Sequence, residues 1–482
     1  MKKRKVISGN KPGFFRFKKN RRGYLVTNDL GFFHQLSGAE FRNYVNGTLN
    51  KDSGLYAALA GDFFIKGFFG LRDAANRYRN RYHYLHHGPT LHIIVATLRC
   101  NYKCVYCQAN RRDAALREYD MSGSTARNTV DRIFECPENS ITIEFQGGEP
   151  LLNWPVVKFI IEYARKKNAA AKKDLRIAMV TNLSLMTEKI YDFLVAKNVS
   201  ICTSLDGPEN IHNRNRPWPR NNSYKATTGW IGKIRREEAR RDKAGEKDYI
   251  HKVAALVTVT RYSLKNINKV IDEYVKYGFR FIHIRRLSLL GFSGGAARNV
   301  IGYTAEEFIS AWKKAMDYII LLNLKGTVFG ERGALIFLQK ILRPSDPGYL
   351  DIRSPCGAGV GQWAYNYNGK VYTCDEARTL EDETFLLGDV NKDDYQRIAS
   401  CPKIKTALLS STLENFSCDE CVYKPYCGTC PVLNYVLYGT IFPQIRATDS
   451  CKIHSAMLDY LFEKMQDRGI ADIFKMWVRT AF

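Results

Sequence analysis

Arg99-Cys100-Asn-Tyr-Lys-Cys104-Val-Tyr-Cys107 is the stretch on which the reading of this chain turns. It follows an apolar run at residues 92–98, short enough and β-branched enough to predict a buried strand. Thiols at i, i+4 and i+7 on the loop after a strand can wrap three irons of a [4Fe–4S] cube. The fourth iron then lacks a protein ligand and is open to a substrate or cofactor. Zinc is the competing occupant, but it takes four ligands, and no His or Cys stands near enough in sequence to complete the set.

Outward from that loop, strands and helices alternate. Strands are predicted over residues 92–98, 141–147, 176–183, 200–206, 252–260 and 280–287, and helices over 124–134, 156–167, 188–197, 228–241 and 267–277. Thr304-x-x-Glu307 reads as a capping box opening a helix that runs to about residue 324. Six βα units predict an α/β fold with a parallel sheet, open and doubly wound or curled into a partial (β/α)6 barrel. The chemistry then belongs at the C-terminal strand ends, where the loops converge. Before this block, residues 1–85 hold strand candidates at 14–18, 23–27 and 32–36, then helical patterns at 39–45 and 55–64. That is the order of a small winged-helix module. After it, from about residue 354, the chain is rich in Cys, Gly and aromatic residues, as in segments that fold around metals.

A chain of 482 residues suits two or three domains. No apolar stretch approaches the roughly eighteen residues of a membrane span. The basic opening Met1-Lys-Lys-Arg-Lys5 runs into Ser8-Gly-Asn-Lys-Pro12 with no hydrophobic region behind it. This predicts a cytoplasmic protein with no secretory signal and no membrane partner. Thirteen cysteines in a reducing compartment point to metal or cluster ligation rather than disulfides. Cys136, Cys202 and Cys401 stand alone; the other ten fall in two groups. The net charge of +25 favours an anionic partner, a nucleic acid, an acidic peptide or a phosphorylated molecule. Runs such as 233–247 equally suit solvated helix faces.

The C-x3-C-x2-C spacing, with Tyr106 before its last cysteine, resembles the radical S-adenosylmethionine (SAM) superfamily. The resemblance implies that the open iron chelates the amino and carboxylate groups of SAM. The reduced cluster then cleaves SAM to methionine and a 5′-deoxyadenosyl radical that takes hydrogen from the substrate. Gln146-Gly147-Gly148-Glu149-Pro150, at the end of the next strand, looks like the family's GGEP motif. Two glycines there would let backbone groups approach a ligand closely, and Glu149 would offer a carboxylate to the ammonium of methionine. Thr181-Asn182 and Ser204-Leu-Asp206-Gly207-Pro208 end the third and fourth strands, as in many relatives. Tyr106, Gln146, Gly147, Gly148, Glu149, Asn182 and Ser204 are thus the expected cofactor contacts. Asn182 and Asp206 suit turn capping equally well.

The C-terminal run resembles the SPASM domain of radical SAM enzymes that act on peptides and proteins. Gly369-x4-Cys374 follows Cys356, then come Cys418-x2-Cys421-x5-Cys427-x2-Cys430 and Cys451. The last short interval is one residue less than the family's usual x3. Carried over by position, Cys356, Cys374 and Cys430 would hold a first auxiliary cluster, with Cys401 an unsupported candidate for a fourth ligand. Cys418, Cys421, Cys427 and Cys451 would hold a second, making three [4Fe–4S] clusters in all. A zinc-ribbon pair is the competing reading. Asp375 follows Cys374; in the related sulfatase-maturing enzymes an Asp at this position is implicated in deprotonating substrate, with Glu376 the rival here.

Segments 24–29, 142–154, 200–208, 354–368 and 426–435 look like the B-type radical SAM maturase of the His-Xaa-Ser peptide system. The resemblance implies domains at 1–85 (precursor-peptide recognition, similar to PqqD-type modules that add a strand to a sheet edge), 86–330 (radical SAM barrel) and 331–482 (SPASM). It implies a ribosomally made precursor peptide as substrate and an intramolecular crosslink as product. A second radical SAM maturase and a flavodoxin- or ferredoxin-type electron donor are the implied partners. The alternative is a basic zinc- or cluster-bearing nucleic-acid-binding protein, supported by charge but not by the order of the SAM motifs.

Overall fold

The computed structural model describes residues 10–246, 253–291, 297–414 and 416–480. The basic opening, Lys247 and Lys252 lie outside the described residues. Three antiparallel strands come first, β1 (Arg16–Asn20), β2 (Gly23–Thr27) and β3 (Phe33–Leu36), with β2 in the centre. Helices α1 (Gly38–Asn46) and α2 (Gly54–Gly61) follow. Ser37 and Glu40 close a capping box at the start of α1, and Gly47 ends it in the left-handed conformation. These elements enclose their own small core of Val26, Leu36, Tyr44, Leu59 and Phe64. A third helix, α3 (Leu71–Tyr82), has no counterpart in the sequence reading, because Ala74 is its one buried residue and no apolar stripe announces it.

The central sheet has nine strands. Six parallel ones, β4 (Leu91–Val95), β5 (Ser140–Gln146), β6 (Asp174–Val180), β7 (Val199–Ser204), β8 (Val253–Thr258) and β9 (Ile284–Arg285), lie side by side in chain order. They alternate with α4 (Gly123–Glu135), α5 (Trp154–Ala171), α6 (Glu188–Ala196), α7 (Ser223–Lys243), α8 (Ile267–Lys276) and α9 (Ala305–Leu324). Six βα units with parallel strands in chain order are the α/β architecture that the sequence predicts. Alternation along β5 and β7 divides their two faces. In β5, Ile141, Ile143 and Phe145 are buried in the main core, while Thr142, Glu144 and Gln146 point the other way and are half-buried. Ser200, Cys202 and Ser204 of β7 share that second, polar face.

Two features depart from the sequence reading. The strand expected over 280–287 is broken at His283: Phe281–Ile282 pairs with Gly330–Glu331, and β9 pairs with β8. The Glu331 carboxylate accepts the Ile284 N–H at 3.1 Å, at the break. The Cys-rich segment also joins the barrel sheet. Strand β10 (Gln362–Tyr365) pairs parallel with β4, and β11 (Lys370–Tyr372) and β12 (Leu386–Asp389) continue outward antiparallel. His92 and Tyr365 hydrogen-bond across the seam at 3.0 Å. Helices α10 (Arg332–Leu342), α11 (Asp449–Lys464) and α12 (Arg468–Thr480) complete the C-terminal part. Among the described residues no helix is long and apolar enough to cross a membrane.

Candidate active site

The first cysteine loop leaves the C-terminal end of β4 and is tied to the ends of its neighbours. Lys103 N donates to the Pro217 carbonyl at 2.8 Å and Val105 N to the Asn215 carbonyl at 2.9 Å. Asn182, after β6, donates to Asn101 Oδ1 at 2.9 Å, and its own Oδ1 accepts from Ser184, so it both caps a turn and holds the loop. Tyr106 is buried with its hydroxyl donating to Asp206 at 2.7 Å and accepting from Arg216 at 2.7 Å. Burial pushes the Cys104 thiol up to about 11 and the Asp206 carboxyl up to about 6, and the Arg216 guanidinium works against both shifts. Cys100 is likewise pushed up by burial and then by Cys104 beside it. Buried thiols of this kind ionise when a metal replaces the proton. Arg216 lies near Cys104, and its buried Nε has no hydrogen-bond partner. The donor set therefore fits an anionic, thiolate-bound cluster.

The GGEP segment packs against the cysteine loop and the end of the next strand. Gly147 has φ +106°, and a Cβ on it would lie 2.5 Å from a Val95 methyl; one on Gly148 would lie 2.1 Å from the Arg99 carbonyl. On that side the close approach the glycines permit is to the stem of the cysteine loop itself. Glu149 is buried and accepts from Thr181 Oγ1 at 2.7 Å, Asn182 N at 2.8 Å and Leu151 N at 3.1 Å. Three of its roughly four acceptor positions are used, two to join the end of β6 and one to cap the turn that follows Glu149. Gln146 donates to Glu144 on the polar face of β5, and Ser204 ends β7 on that same face.

The C-terminal cysteines separate into two clusters. Cys356, Cys374 and Cys430 pack together with Tyr372, Phe385 and Val432. Cys418, Cys427 and Cys451 pack around Leu413 and Ile445, and Cys421 lies close enough to Cys427 and Cys451 to raise the proton affinity of both. Cys401 packs against the main core instead. Among the described residues no three His, Cys, Asp or Glu side chains converge on one point as a single bound ion requires.

A cavity of 140 Å³ lies between the barrel end and this C-terminal part. Gln108, next to Cys107, stands on one wall, and Glu376, Thr429 and Cys430 stand on another; Arg285, Phe337 and Met457 also line it. Asp375 is not on the wall. It is buried and its carboxylate pairs with Arg378 Nε at 2.7 Å. Arg216 and Asn101 are the site residues sequence reasoning missed. No spacing rule marks an Arg more than a hundred positions from the cysteine it neighbours.

The Radical SAM superfamily signature matches residues 94–234, which span β4 to α7 and the first cysteine loop. Those residues are a radical SAM domain. An uncharacterized protein of Methanocaldococcus jannaschii is 34% identical to this chain over 126 residues (26% of this chain, 41% of that one). The radical SAM cyclopropyl synthase TigE of Paramaledivibacter caminithermalis is 26% identical over 217 residues (40% and 41%). The chain thus spans about two fifths of the length of these two relatives. The cysteine-type anaerobic sulfatase-maturating enzyme of Clostridium perfringens is 24% identical over 358 residues, 71% of this chain and 89% of that one. Among solved structures, native anSMEcpe with bound AdoMet and Kp18Cys peptide superposes with a TM-score of 0.65 at 20% identity, over 79% of this chain and 99% of that one. Streptococcus suis SuiB bound to precursor peptide SuiA gives 0.51 at 13%, over 89% and 97%. The radical SAM family binds SAM and a [4Fe–4S] cluster, and this chain shares its fold with these maturases.

Proposed function

We propose that this protein is a SPASM-type radical SAM maturase that abstracts hydrogen from a ribosomally made precursor peptide and installs an intramolecular crosslink. The observation that carries the reading is the cavity whose walls join Gln108, beside the first cysteine loop, to Glu376 and Cys430 in the second group. A substrate side chain placed there meets residues adjoining both groups. Relatives support it by name: one matures sulfatases, one makes cyclopropyl groups, and SuiB is bound to its precursor peptide.

In this reading Cys100, Cys104 and Cys107 hold the first cluster, and SAM bound to it supplies the hydrogen-abstracting radical. Arg216 sets a buried cation beside Cys104, which offsets the charge of the thiolates. Asn101 and Asn182 orient the loop. Tyr106 is held by Asp206 and Arg216, while Gln146, Gly147, Gly148, Glu149 and Ser204 frame the SAM side of the barrel. Cys356, Cys374 and Cys430 hold one auxiliary cluster, and Cys418, Cys421, Cys427 and Cys451 the other. Glu376 takes the substrate proton at the cavity wall, and Asp375 steadies that turn through Arg378. Residues 1–85 take the leader by strand addition, 86–330 form the barrel and 331–482 the SPASM domain. A His-Xaa-Ser precursor, a partner maturase of the same class, a flavodoxin- or ferredoxin-type donor and a cytoplasmic setting belong to the same reading.

The test is anaerobic reconstitution followed by iron analysis and turnover. About twelve irons per chain are expected, four for each cluster. A peptide with repeated His-x-Ser triplets should yield 5′-deoxyadenosine and a modified product. A count near four, or stoichiometric zinc, sinks the SPASM reading.

A further inference from the structure

The loop that carries Cys418, Cys421 and Cys427 is fastened to the N-terminal module. Thr27 Oγ1, at the end of β2, donates to the Val422 carbonyl at 2.8 Å, one residue past Cys421. The Tyr426 hydroxyl donates to the Gly31 carbonyl at 3.1 Å, one residue before Cys427. Thr27 and Tyr426 are both 0% exposed, so water cannot replace either bond cheaply. Arg16 Nε donates to the Asp419 carbonyl, between Cys418 and Cys421, and its guanidinium pairs with Asp29 at 2.7 Å. Lys18 pairs with Asp459 at 2.7 Å, and Phe33 meets Phe462 edge-on with ring centroids 5.2 Å apart. Both ends of the five-residue span between Cys421 and Cys427 are thus pinned from a module nearly four hundred residues upstream.

We infer that Arg16, Thr27 and Tyr426 are positioning residues for the second auxiliary cluster, and that the N-terminal module is the clamp that shapes its ligand loop. The inference rests on the reading of Cys418, Cys421, Cys427 and Cys451 as cluster ligands. Linkage makes it reciprocal: whatever stability docking lends to the loaded loop, loading lends to docking. The module is therefore part of the redox apparatus as well as a surface for substrate.

Thr27→Val combined with Tyr426→Phe removes both buried bonds while nearly keeping volume. The anaerobically reconstituted holoprotein is challenged with an iron chelator. About four of some twelve irons should leave the double variant roughly ten to a hundred times faster than they leave the unaltered protein. The other irons should leave at the unaltered rate, and SAM should still perturb the paramagnetic signal of the first cluster. In the reverse direction, Cys421→Ala with Cys427→Ala should speed amide hydrogen exchange across residues 23–27 and leave β5 unchanged. Equal release rates, or unchanged exchange in β2, overturn the inference. Should the double variant fail to load at all, the exchange measurement on the cysteine variant decides. A count of about eight irons in the unaltered protein would remove the ligand reading first, and the inference with it.

Discussion

The cysteine loops at 100–107 and 418–430 have similar short spacings, yet only the second takes part of its fastening from the N-terminal module. The first is fastened within its own barrel, by the backbone of residues 215–217, by Asn182 and by a buried charge network of Tyr106, Asp206 and Arg216. The second is held from within the C-terminal part, where Lys340 donates to the Cys427 carbonyl at 3.2 Å, and in addition from Arg16, Thr27 and Gly31 of the N-terminal module. A loop secured by its own fold unit can be loaded whenever that unit folds. One secured by a remote module depends on the assembly of the whole chain. If the proposed function holds, radical generation should need only the barrel, whereas electron removal through the second group should need the N-terminal module as well.

The sharpest way to break the comparison is to delete each thiol set. Replacing Cys100, Cys104 and Cys107 by Ala should remove roughly a third of the iron and all SAM cleavage. Replacing Cys421 and Cys427 should remove a similar share of iron while SAM cleavage without peptide persists. If both variants lose SAM cleavage, the two regions are not separable.

A smaller effect is expected at the wall between them. Glu376→Gln should keep iron and peptide-dependent 5′-deoxyadenosine, while modified peptide falls by about two to four powers of ten, the range for losing a general base. Asp375→Asn should cost less, because Asp375 is already committed to Arg378. The reverse ranking in quantified product would return the acid–base role to Asp375.

The smallest effect concerns the seam where the C-terminal hairpin joins the barrel. Burial lowers the imidazole of His92 to about 3. Between that value and its ordinary 6.5 the unfolded chain binds a proton that the native state refuses, so stability is lost as pH falls below 6.5. His92→Gln should lack this part. Between pH 7 and 5.5 the unaltered protein should lose about 1 kcal/mol more than the variant, read from thermal unfolding at each pH. Equal losses would show that His92 does not govern the seam.

What the sequence determined by itself is what short-range pattern can encode. The i, i+4, i+7 thiols define one loop, a short apolar run defines β4, alternation of apolar residues defines β5 to β8, and Thr304 with Glu307 places the start of α9 at the residue the structure shows. Each of these depends on neighbours within a few positions, where backbone geometry alone sets the outcome. Only the tertiary structure decided that Arg216 lies beside Cys104, that Glu376 rather than Asp375 faces the cavity, that β10 extends the barrel sheet and that Thr27 grips the loop after Cys421. It also broke the sixth strand at His283, where the buried Glu331 carboxylate takes an N–H that periodicity assigns to a ladder. These partners stand up to about four hundred residues apart, and polar side chains of the same type are solvated in most contexts. Their roles follow from the path of the whole chain, which brings distant groups together and removes the water between them.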